Sequence, residues 1–318
     1  MRVLVTGSRG HLGEALVRTL ADRGHEAIGL DRLASPFTKR VGSVVDRAFV
    51  HECMRGVDVV VHSATLHKPH VATHSRAAFV DVNVTGTLNL LEEAAAAGVG
   101  AFVFTSTTST FGRALTPPDG APAAWITEAV NPVPKNIYGV TKVAAENLCE
   151  LVHRDSGLPC IVLRTSRFFP EEDDDPVKRS AYDETNAKLN ELLYRRVDVE
   201  DVVQAHLLAI EKAPTIGFGR YIISATTPFG RDELAQLRLD APAVLRRHVP
   251  EFEEEYRRRG WVMFPSIDRV YVNALARTEL GWRPRWDFRR VLDLLRSSQD
   301  HRSELARVVG SKGYHAEV

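Results

Sequence analysis

A tyrosine and a lysine stand four residues apart near the middle of the chain, as Tyr138 and Lys142. On a helix this spacing places the phenol and the ammonium on one face, within mutual reach. A neighbouring cation stabilises a phenolate and brings the phenol toward a pKa that is useful for proton transfer. The pair is a weak pattern by itself, because amphipathic surface helices often supply it. A run of hydroxyl side chains from Thr105 to Thr110 precedes it and strengthens the interpretation.

Three glycines, Gly7, Gly10 and Gly13, follow the first apolar run and open the first predicted helix. In this context the first permits a tight turn, the second admits a pyrophosphate, and the third lets helix and sheet pack closely. The helix N-terminus also offers unpaired N–H groups to phosphates. We therefore predict a dinucleotide site, and we expect Arg9, His11 and Leu12 of the same turn to contact the cofactor.

The identity of the dinucleotide depends on the end of the second predicted strand. Asp31 lies there, 24 residues after Gly7. Its carboxylate can accept hydrogen bonds from the adenine ribose and would repel a 2′-phosphate, which predicts NAD. Arg9 and Arg32 keep NADP open as an alternative, since either guanidinium could pair with that phosphate.

The elements that must position these side chains alternate along the first half of the chain. The order strand–helix–strand with short connections predicts a parallel sheet covered on both faces. A proline-rich segment at 106–135 interrupts the alternation, and loops of this length are often functional. Strands are predicted at 2–6, 26–30, 57–61, 101–105, 159–164 and 219–224, and helices at 11–23, 46–56, 76–97, 136–156 and 201–212.

The composition is that of an ordinary globular chain, with 318 residues and 41 Lys+Arg against 41 Asp+Glu. A net charge of +0 gives no reason to expect nucleic-acid binding, which needs clustered positive charge. No apolar run approaches the ~18 residues of a membrane span, and no leader-like segment precedes the first strand. Cys53, Cys149 and Cys160 are too widely spaced for a disulfide framework or a zinc site. We predict a cytoplasmic protein without a nucleic-acid or membrane partner.

Together these motifs resemble those of the extended short-chain dehydrogenase/reductases, the NAD-dependent epimerase/dehydratase family. The resemblance covers most of the chain. It implies an α/β fold, a Rossmann-type doubly wound parallel sheet with a smaller C-terminal substrate-binding region. The matching strings are TGSRGHLG at 6–13, DVVVHSA at 58–64, NVTGTLNLLE at 83–92, YGVTK at 138–142, VEDV at 199–202 and LGWRP at 280–284.

The resemblance also implies roles for individual side chains. Tyr138 would be the general acid/base, and Lys142 would hold the nicotinamide ribose and tune the tyrosine. The hydroxyl that binds the reacting oxygen falls on Thr107, with Ser106 and Thr108 as alternatives.

Three further cofactor contacts follow from the family pattern. Ala64 and Asn83 belong to matching strings and are placed among the cofactor-binding residues. Ser43 stands where the family commonly has an aspartate that contacts adenine. We therefore expect adenine to be held by this weaker hydroxyl or by backbone groups.

Departures from the family pattern concern the substrate. Arg167 replaces an asparagine that is usual in nucleotide-sugar enzymes, and the insert that builds the nucleotide pocket is compressed into 170–197. Five consecutive acids at 171–175 would repel a diphosphate, but a solvated loop is the favoured interpretation. Thr108 and Ser109 replace the Asp-Glu pair of dehydratases, which disfavours dehydration. Thr108 and Arg167 are candidate substrate contacts.

Four histidines lie within one short segment, at His62, His67, His70 and His74. Imidazoles are common metal ligands. No carboxylate or thiolate completes an evident ligand set, so no metal site is predicted. His67 falls where related enzymes line the cleft and is a candidate substrate contact; the alternative is that these are ordinary surface histidines.

The favoured function is an NAD(P)-dependent oxidoreductase that acts at a secondary hydroxyl or ketone of a sugar or sugar-like substrate. The alternative is a nucleotide-sugar 4-epimerase resembling UDP-glucose 4-epimerases, which would retain the keto intermediate and return hydride to its other face. A non-catalytic dinucleotide-binding sensor is disfavoured, because such proteins tend to lose the Tyr/Lys pair that this chain keeps.

Residues 1–165, rejoined by 198–224, are predicted to form the dinucleotide-binding domain. Residues 166–197 and 225–300 are expected to form the substrate-binding region, and 301–318 a polar, poorly ordered tail.

A homodimer is predicted from the helices at 76–97 and 136–156, because related enzymes usually pair through them. Each helix has one apolar stripe that could cover the sheet. Additional small and apolar positions off the stripes predict a second buried face between two subunits. The stripes are Val80, Val84, Leu88, Leu91 and Ala95, and Val140, Ala144, Leu148 and Leu151; the additional positions are Ala94, Ala97, Ala145 and Cys149.

Overall fold

The computed structural model describes residues 1–172 and 175–313. Its centre is a seven-stranded parallel sheet in the order β3-β2-β1-β4-β5-β7-β8. The chain leaves β1 toward β2 on one side and returns to β4 on the other, which opens a crevice at the carboxyl ends of these strands. The predicted Rossmann-type doubly wound sheet is confirmed. The strands are β1 (Arg2–Thr6), β2 (Glu26–Asp31), β3 (Arg40–Val41), β4 (Val59–His62), β5 (Ala101–Thr107), β6 (Ala124–Ile126), β7 (Cys160–Thr165), β8 (Phe218–Ile223) and β9 (Arg269–Tyr271).

Helices cover the sheet on both faces, since the apolar side chains of α1 and α8 fill one core and those of α2, α4 and α5 fill another. The α-helices are α1 (His11–Asp22), α2 (Arg47–Cys53), α3 (Arg76–Val80), α4 (Gly86–Ala96), α5 (Ile137–Ser156), α6 (Pro176–Ala181), α7 (Glu184–Leu192), α8 (Val199–Ile216), α9 (Leu234–Leu239), α10 (Ala241–His248), α11 (Phe252–Arg259), α12 (Ala274–Glu279), α13 (Phe288–Arg296) and α14 (Glu304–Val309). None of the helices in the described residues combines the length and the apolar character needed to cross a bilayer.

Helix α5, which carries Tyr138 and Lys142, has well-defined ends. Asn136 caps its start, because the Oδ1 atom accepts the Gly139 N–H at 3.0 Å. Gly157 ends it in the left-handed conformation at φ +76°. The bounds agree closely with the predicted helix at 136–156.

The predicted helix at 76–97 contains an irregularity. A π-helical turn at Asp81–Thr85 joins α3 to α4. Such turns insert an extra residue into a helix and are frequent at functional sites. Asn83, within this turn, is buried with its side chain directed into the protein.

A second hydrophobic core lies in the C-terminal part of the chain, built largely from α7, α9, α10, α11 and α13. Strand β6 lies in the proline-rich segment and pairs with β9 outside the main sheet. Residues from the first predicted domain therefore contribute to this second region. The predicted domain boundaries remain a prediction.

In the C-terminal half, one helix was not predicted and one expectation was wrong. The polar run at 253–259 forms α11, because three acids occupy its first turn and three arginines its last, which complements the helix dipole. Phe252 and Tyr256 supply its apolar side. The expected poorly ordered tail contains α14, which packs on α1 and α8 through Val309. Residues 314–318 of that tail, and 173–174 of the acidic run, lie outside the described residues.

The predicted assignment of faces on the helix pair was wrong for several residues, although Leu91 is buried and Ala97 is exposed as predicted. Ala94, Ala145 and Cys149, which were assigned to a subunit interface, are completely buried beneath the helices in this chain's own core. By contrast, Val140 and Leu151 of the presumed sheet-facing stripe are 51% and 41% exposed. On α5 the small residues Ala145 and Cys149 lie in the core, whereas the larger Val140 and Leu151 lie outside.

Candidate active site

A cleft of about 700 Å³ runs along the carboxyl edge of the sheet, across the crevice between β1 and β4. It brings together most of the predicted site residues, although they come from distant parts of the chain. Those that line it are Gly7, Arg9, Gly10, His11, Leu12, Gly13, Asp31, Arg32, Ser43, Ala64, His67, Thr107, Thr108, Tyr138 and Arg167. Asn83 and Lys142 lie behind its wall.

The glycine turn at one end of the cleft is closely packed. A Cβ on Gly7, at φ +72°, would lie 2.9 Å from the Ala64 nitrogen, and one on Gly13 would lie 1.9 Å from the Gly7 carbonyl oxygen. A side chain at Gly13 would therefore collide with the backbone of the turn at Gly7. This constraint adds to the predicted close packing of helix and sheet. Gly10 begins α1 without a side-chain cap. The turn fits a phosphate, because the first N–H groups of the helix have no side chain competing for them.

Asp31 lies at the edge of the same turn. Its Oδ2 accepts the Arg9 backbone N–H and its Oδ1 accepts the Leu33 N–H, both at 3.0 Å. These bonds fix the carboxylate at the end of β2, beside Ser43 in the cleft wall. The arrangement suits a ribose diol and places a negative charge against a 2′-phosphate.

Tyr138 and Thr107 meet at the middle of the cleft. The Thr107 hydroxyl hydrogen-bonds the phenol and also accepts the Ser109 N–H at 3.1 Å. Burial raises the pKa of Tyr138 to about 12, and the bond with Thr107 opposes this shift. The neighbouring hydroxyls have other partners, since Ser106 donates to Glu146 and Thr105 bonds His206. The geometry therefore favours Thr107 over Ser106.

Lys142 is buried beneath the cleft floor. Its Nζ atom donates to the Thr105 carbonyl oxygen at 2.7 Å and lies 3.9 Å from the centre of the Phe104 ring. Burial lowers the pKa of Lys142 to about 7, and Glu146 partly opposes this shift. The expected lowering of the Tyr138 pKa by Lys142 is not seen, because burial dominates both groups and the ammonium is directed at the strand.

A buried ion pair that the sequence reasoning missed lies behind this pair. The two carboxylate oxygens of Glu146 share the Arg164 Nε–H, each at 3.1 Å, and Oε2 also accepts from Nη2 at 2.7 Å. The Ser106 hydroxyl donates to the same carboxylate at 2.5 Å. One α5 face thus holds the end of β5 through Tyr138, Lys142 and Glu146. The spacing of four residues beyond Lys142 was the signal available in the sequence.

His62 and Asn83 connect the cleft wall to the core. Burial lowers the pKa of His62 to about 3, and its ring bonds the Thr6 and Thr87 hydroxyls at 2.7 and 3.0 Å. Asn83 bonds both backbone groups of Leu66 and reaches the Thr141 hydroxyl. Asn83 thus braces the loop after β4 against α5. A direct cofactor contact from Asn83 remains a prediction.

The other histidines form an aromatic wall. The rings of His67 and His70 lie 4.6 Å apart, and those of His70 and His74 lie 5.0 Å apart. His67 also approaches Phe169 at 5.5 Å. Among the described residues, no group of three or more histidines, cysteines or acids is arranged to hold a metal ion.

The substrate end of the cleft is more cationic than the sequence indicated. Arg167 lines it and donates through Nη2 to the carbonyl oxygen of Glu172 at 2.6 Å. Three further basic side chains, Lys135, Arg195 and Arg269, line the cleft together with Tyr271. These residues lie in the proline-rich segment, after α7 and in β9, where no motif singled them out.

A model of the family described as "NAD dependent epimerase/dehydratase family" matches residues 3–223 of the chain. The chain belongs to this family. It is therefore an enzyme of the short-chain dehydrogenase/reductase kind, and the predicted assignment to NAD(P)-dependent oxidoreductases of the epimerase/dehydratase family is confirmed.

Two curated relatives illustrate the range of the family. A UDP-glucose 4-epimerase of Rhizobium meliloti (strain 1021) is 26% identical over 324 residues, covering 92% of this chain and 94% of the relative. A 2-alkyl-3-oxoalkanoate reductase of Stenotrophomonas maltophilia (strain K279a) is 30% identical over 258 residues, covering 76% of each. The chain is thus similar both to an epimerase and to a reductase of the family.

Among solved structures, a short-chain dehydrogenase/reductase superfamily protein from Agrobacterium tumefaciens with bound NAD is similar over nearly its whole length. The TM-score is 0.67 at 25% identity, and the match covers 97% of this chain and 99% of that one. The fold of this family member is therefore shared along nearly the whole chain.

Proposed function

We propose that this family member uses NAD to move hydride to or from a secondary hydroxyl or ketone of a sugar or sugar-like substrate. The observation that carries the proposal is the placement of Tyr138 and Thr107 in one cleft with the glycine turn and Asp31. The similar structure with bound NAD supports the choice of cofactor.

The chain's own residues would divide the chemistry between them. When bound, the nicotinamide ring supplies hydride transfer. Tyr138 exchanges the proton of the substrate hydroxyl, and Thr107 hydrogen-bonds the same oxygen. Asp31 holds the adenine ribose, and the first turn of α1 holds the phosphates. The family resemblance assigns Lys142 to the nicotinamide ribose, for which its ammonium would have to turn from the Thr105 carbonyl toward the cleft. With Glu146, Lys142 also fixes the end of β5.

A nucleotide-sugar 4-epimerase is the second candidate. It is favoured by the UDP-glucose 4-epimerase relative, which matches nearly the full chain. The cationic side chains Lys135, Arg195 and Arg269 at the far end of the cleft also suit a substrate that carries phosphate. Thr108, Arg167 and His67 line the same cleft and remain proposed substrate contacts.

The two candidates are distinguished by the fate of the hydride. Purified protein is incubated with NAD and a panel of free and nucleotide-linked sugars. Net formation of reduced nicotinamide is the result expected of a dehydrogenase. Interconversion of two nucleotide sugars without net reduction is the result expected of an epimerase. A protein that binds NAD but exchanges hydride with none of the panel would instead be a sensor. Mass spectrometry of small molecules released from the protein would identify the cofactor and a retained sugar nucleotide.

We expect NAD⁺ to bind more tightly than NADP⁺, by about tenfold or more, because the Asp31 carboxylate would face the added phosphate. Calorimetric titration of both cofactors measures this difference. In the Asp31→Ala variant the preference should shrink, since the repulsive charge is gone, whereas Asp22→Ala at the far end of α1 should leave it unchanged. Tighter binding of NADP⁺ to the wild type would contradict the proposal.

We also propose a homodimer formed through the outer faces of α4 and α5. These helices pack side by side, and α3 also contacts α5. The exposed apolar residues are Val80 at the end of α3 and Val140 and Leu151 on α5. An exposed apolar surface of this kind is suited to a symmetric contact with a second copy. The interface would support α5, and hence Tyr138, from behind.

Light scattering is expected to give a mass near twice the 35.3 kDa of one chain at micromolar concentration. The double variant Val140→Glu/Leu151→Glu should be monomeric, because it places charges in the contact. Leu239→Glu, at a residue 77% exposed on α9, is the matched control and should remain dimeric. A wild-type mass near one chain would exclude the dimer.

The proposed location is the cytoplasm. Its support is chemical: Cys53, Cys149 and Cys160 are all unpaired thiols, as expected of proteins in a reducing compartment.

A further inference from the structure

The last described residues of the chain lie against the dinucleotide turn. Residues 310–313, here called the terminal strap, follow α14. The His11 ring donates from Nδ1 to the Gly310 carbonyl oxygen at 2.9 Å. Glu171 accepts from the Ser311 hydroxyl at 2.8 Å and from the Gly313 N–H at 3.1 Å. The strap is thus fixed to both sides of the cleft mouth.

Within the strap, Lys312 is directed at the first turn of α1. Its Nζ atom lies 2.5 Å from Glu14 Oε2, and the residue lines the cleft together with Gly10 and His11. The Glu14 side chain is only 5% exposed, and its other oxygen pairs with Arg18 at 2.8 Å. The Lys312 side chain is 27% exposed, so it contacts the buried acid and also lines the cleft.

The charge of Glu14 makes this contact important for a phosphate ligand. A carboxylate in the first turn of α1 stands beside the N–H groups that would receive a diphosphate, and it would repel that group. A lysine shared between the acid and the cleft offsets the repulsion and offers N–H donors to the phosphate oxygens. Because α14 packs on α1 and α8, the lysine is delivered to this position by folded structure.

We propose that the terminal strap is part of the dinucleotide site and that Lys312 is a phosphate-binding residue of that site. The inference rests on the proposed binding of a dinucleotide in this cleft. It adds to the turn at 7–13 a contact from the opposite end of the chain. The ligand chemistry is the diphosphate, which NAD and ADP-ribose share.

The test compares Lys312→Met with Arg307→Met by calorimetry. Both variants remove one positive charge from the C-terminal segment, but Arg307 lies on the exposed side of α14, outside the cleft lining. We expect Lys312→Met to weaken the binding of NAD⁺ and of ADP-ribose about tenfold, as for loss of one charge-assisted hydrogen bond. Arg307→Met should change neither affinity. Lys312→Arg should restore most of the affinity. Adenosine, titrated at higher concentration as the phosphate-free ligand, should bind all variants equally.

Each other result overturns the proposal. Unchanged NAD⁺ affinity in Lys312→Met would show that the lysine serves Glu14 alone. An equal loss for adenosine would show that the strap supports the site's shape instead of its phosphate contacts. Thermal unfolding of each variant identifies a folding defect, and Lys312→Arg separates that defect from loss of the charge. A wild type that binds no dinucleotide would contradict the proposed function itself, which distinguishes the two failures.

Discussion

Replacing Tyr138 with phenylalanine is expected to reduce turnover by ~10²- to 10⁴-fold, the usual contribution of a general acid/base. The phenol oxygen is the group that meets Thr107 in the cleft. The ring packs against Leu66 and Phe79, and phenylalanine keeps that packing. NAD⁺ affinity, measured by calorimetry, should therefore stay nearly unchanged.

The matched control is Tyr182→Phe. This tyrosine contacts Phe264 in the second core, away from the cleft lining, so loss of its hydroxyl should leave turnover intact. Turnover of Tyr138→Phe within a few-fold of the wild type would remove Tyr138 from the proposed chemistry.

The second large effect is expected from Gly13→Ala. The new Cβ would lie 1.9 Å from the Gly7 carbonyl oxygen and 2.6 Å from its carbon, so the backbone of the turn must move. Overpacking of this kind costs roughly 1–3 kcal/mol, which corresponds to about ten- to hundredfold weaker NAD⁺ binding if it falls on the bound state.

Gly100→Ala provides the comparison for this variant. Its Cβ would make only an ordinary contact, 3.5 Å from the Asp58 carbonyl oxygen. Calorimetry of both variants should show loss of affinity in Gly13→Ala alone. Wild-type affinity in Gly13→Ala would mean that the turn is not the phosphate site.

Much of the nucleotide-binding half could be predicted from the sequence, because local signals and the global fold agree there. Local residue types determine where these elements begin and end: an apolar run forms the strand before Gly7, Asn136 caps the start of α5, and Gly157 ends α5 in the left-handed conformation. The bounds of β1 and α5 consequently agree with the structure almost to the residue. The cleft also gathers most of the predicted site residues, since the ends of parallel strands meet at one edge.

The burial of side chains could not be predicted in the same way. Both sides of α5 carry small or apolar residues, so periodicity alone does not say whether Ala145 or Val140 faces the sheet. The position of Lys142 beneath the floor depends on the Thr105 carbonyl and the Phe104 ring, which belong to a distant strand. Its interaction with the strand could not be derived from the spacing to Tyr138.

The C-terminal half was harder because its helices are short and polar. In α11, Glu255 is buried and forms ion pairs with Arg258 and Arg259. Charged residues therefore take part in the packing of this helix, which a hydrophobic pattern does not reveal. Lys135, Arg195 and Arg269 reach the cleft through tertiary packing, with no shared motif.

The contact between His11 and Gly310 joins residues 299 positions apart. The glycine turn is synthesised before the strap, because it lies earlier in the chain. During translation, therefore, the turn can form early, but the cleft mouth closes only when the C-terminal residues have emerged from the ribosome. A contact of such sequence separation is expected to form late in folding.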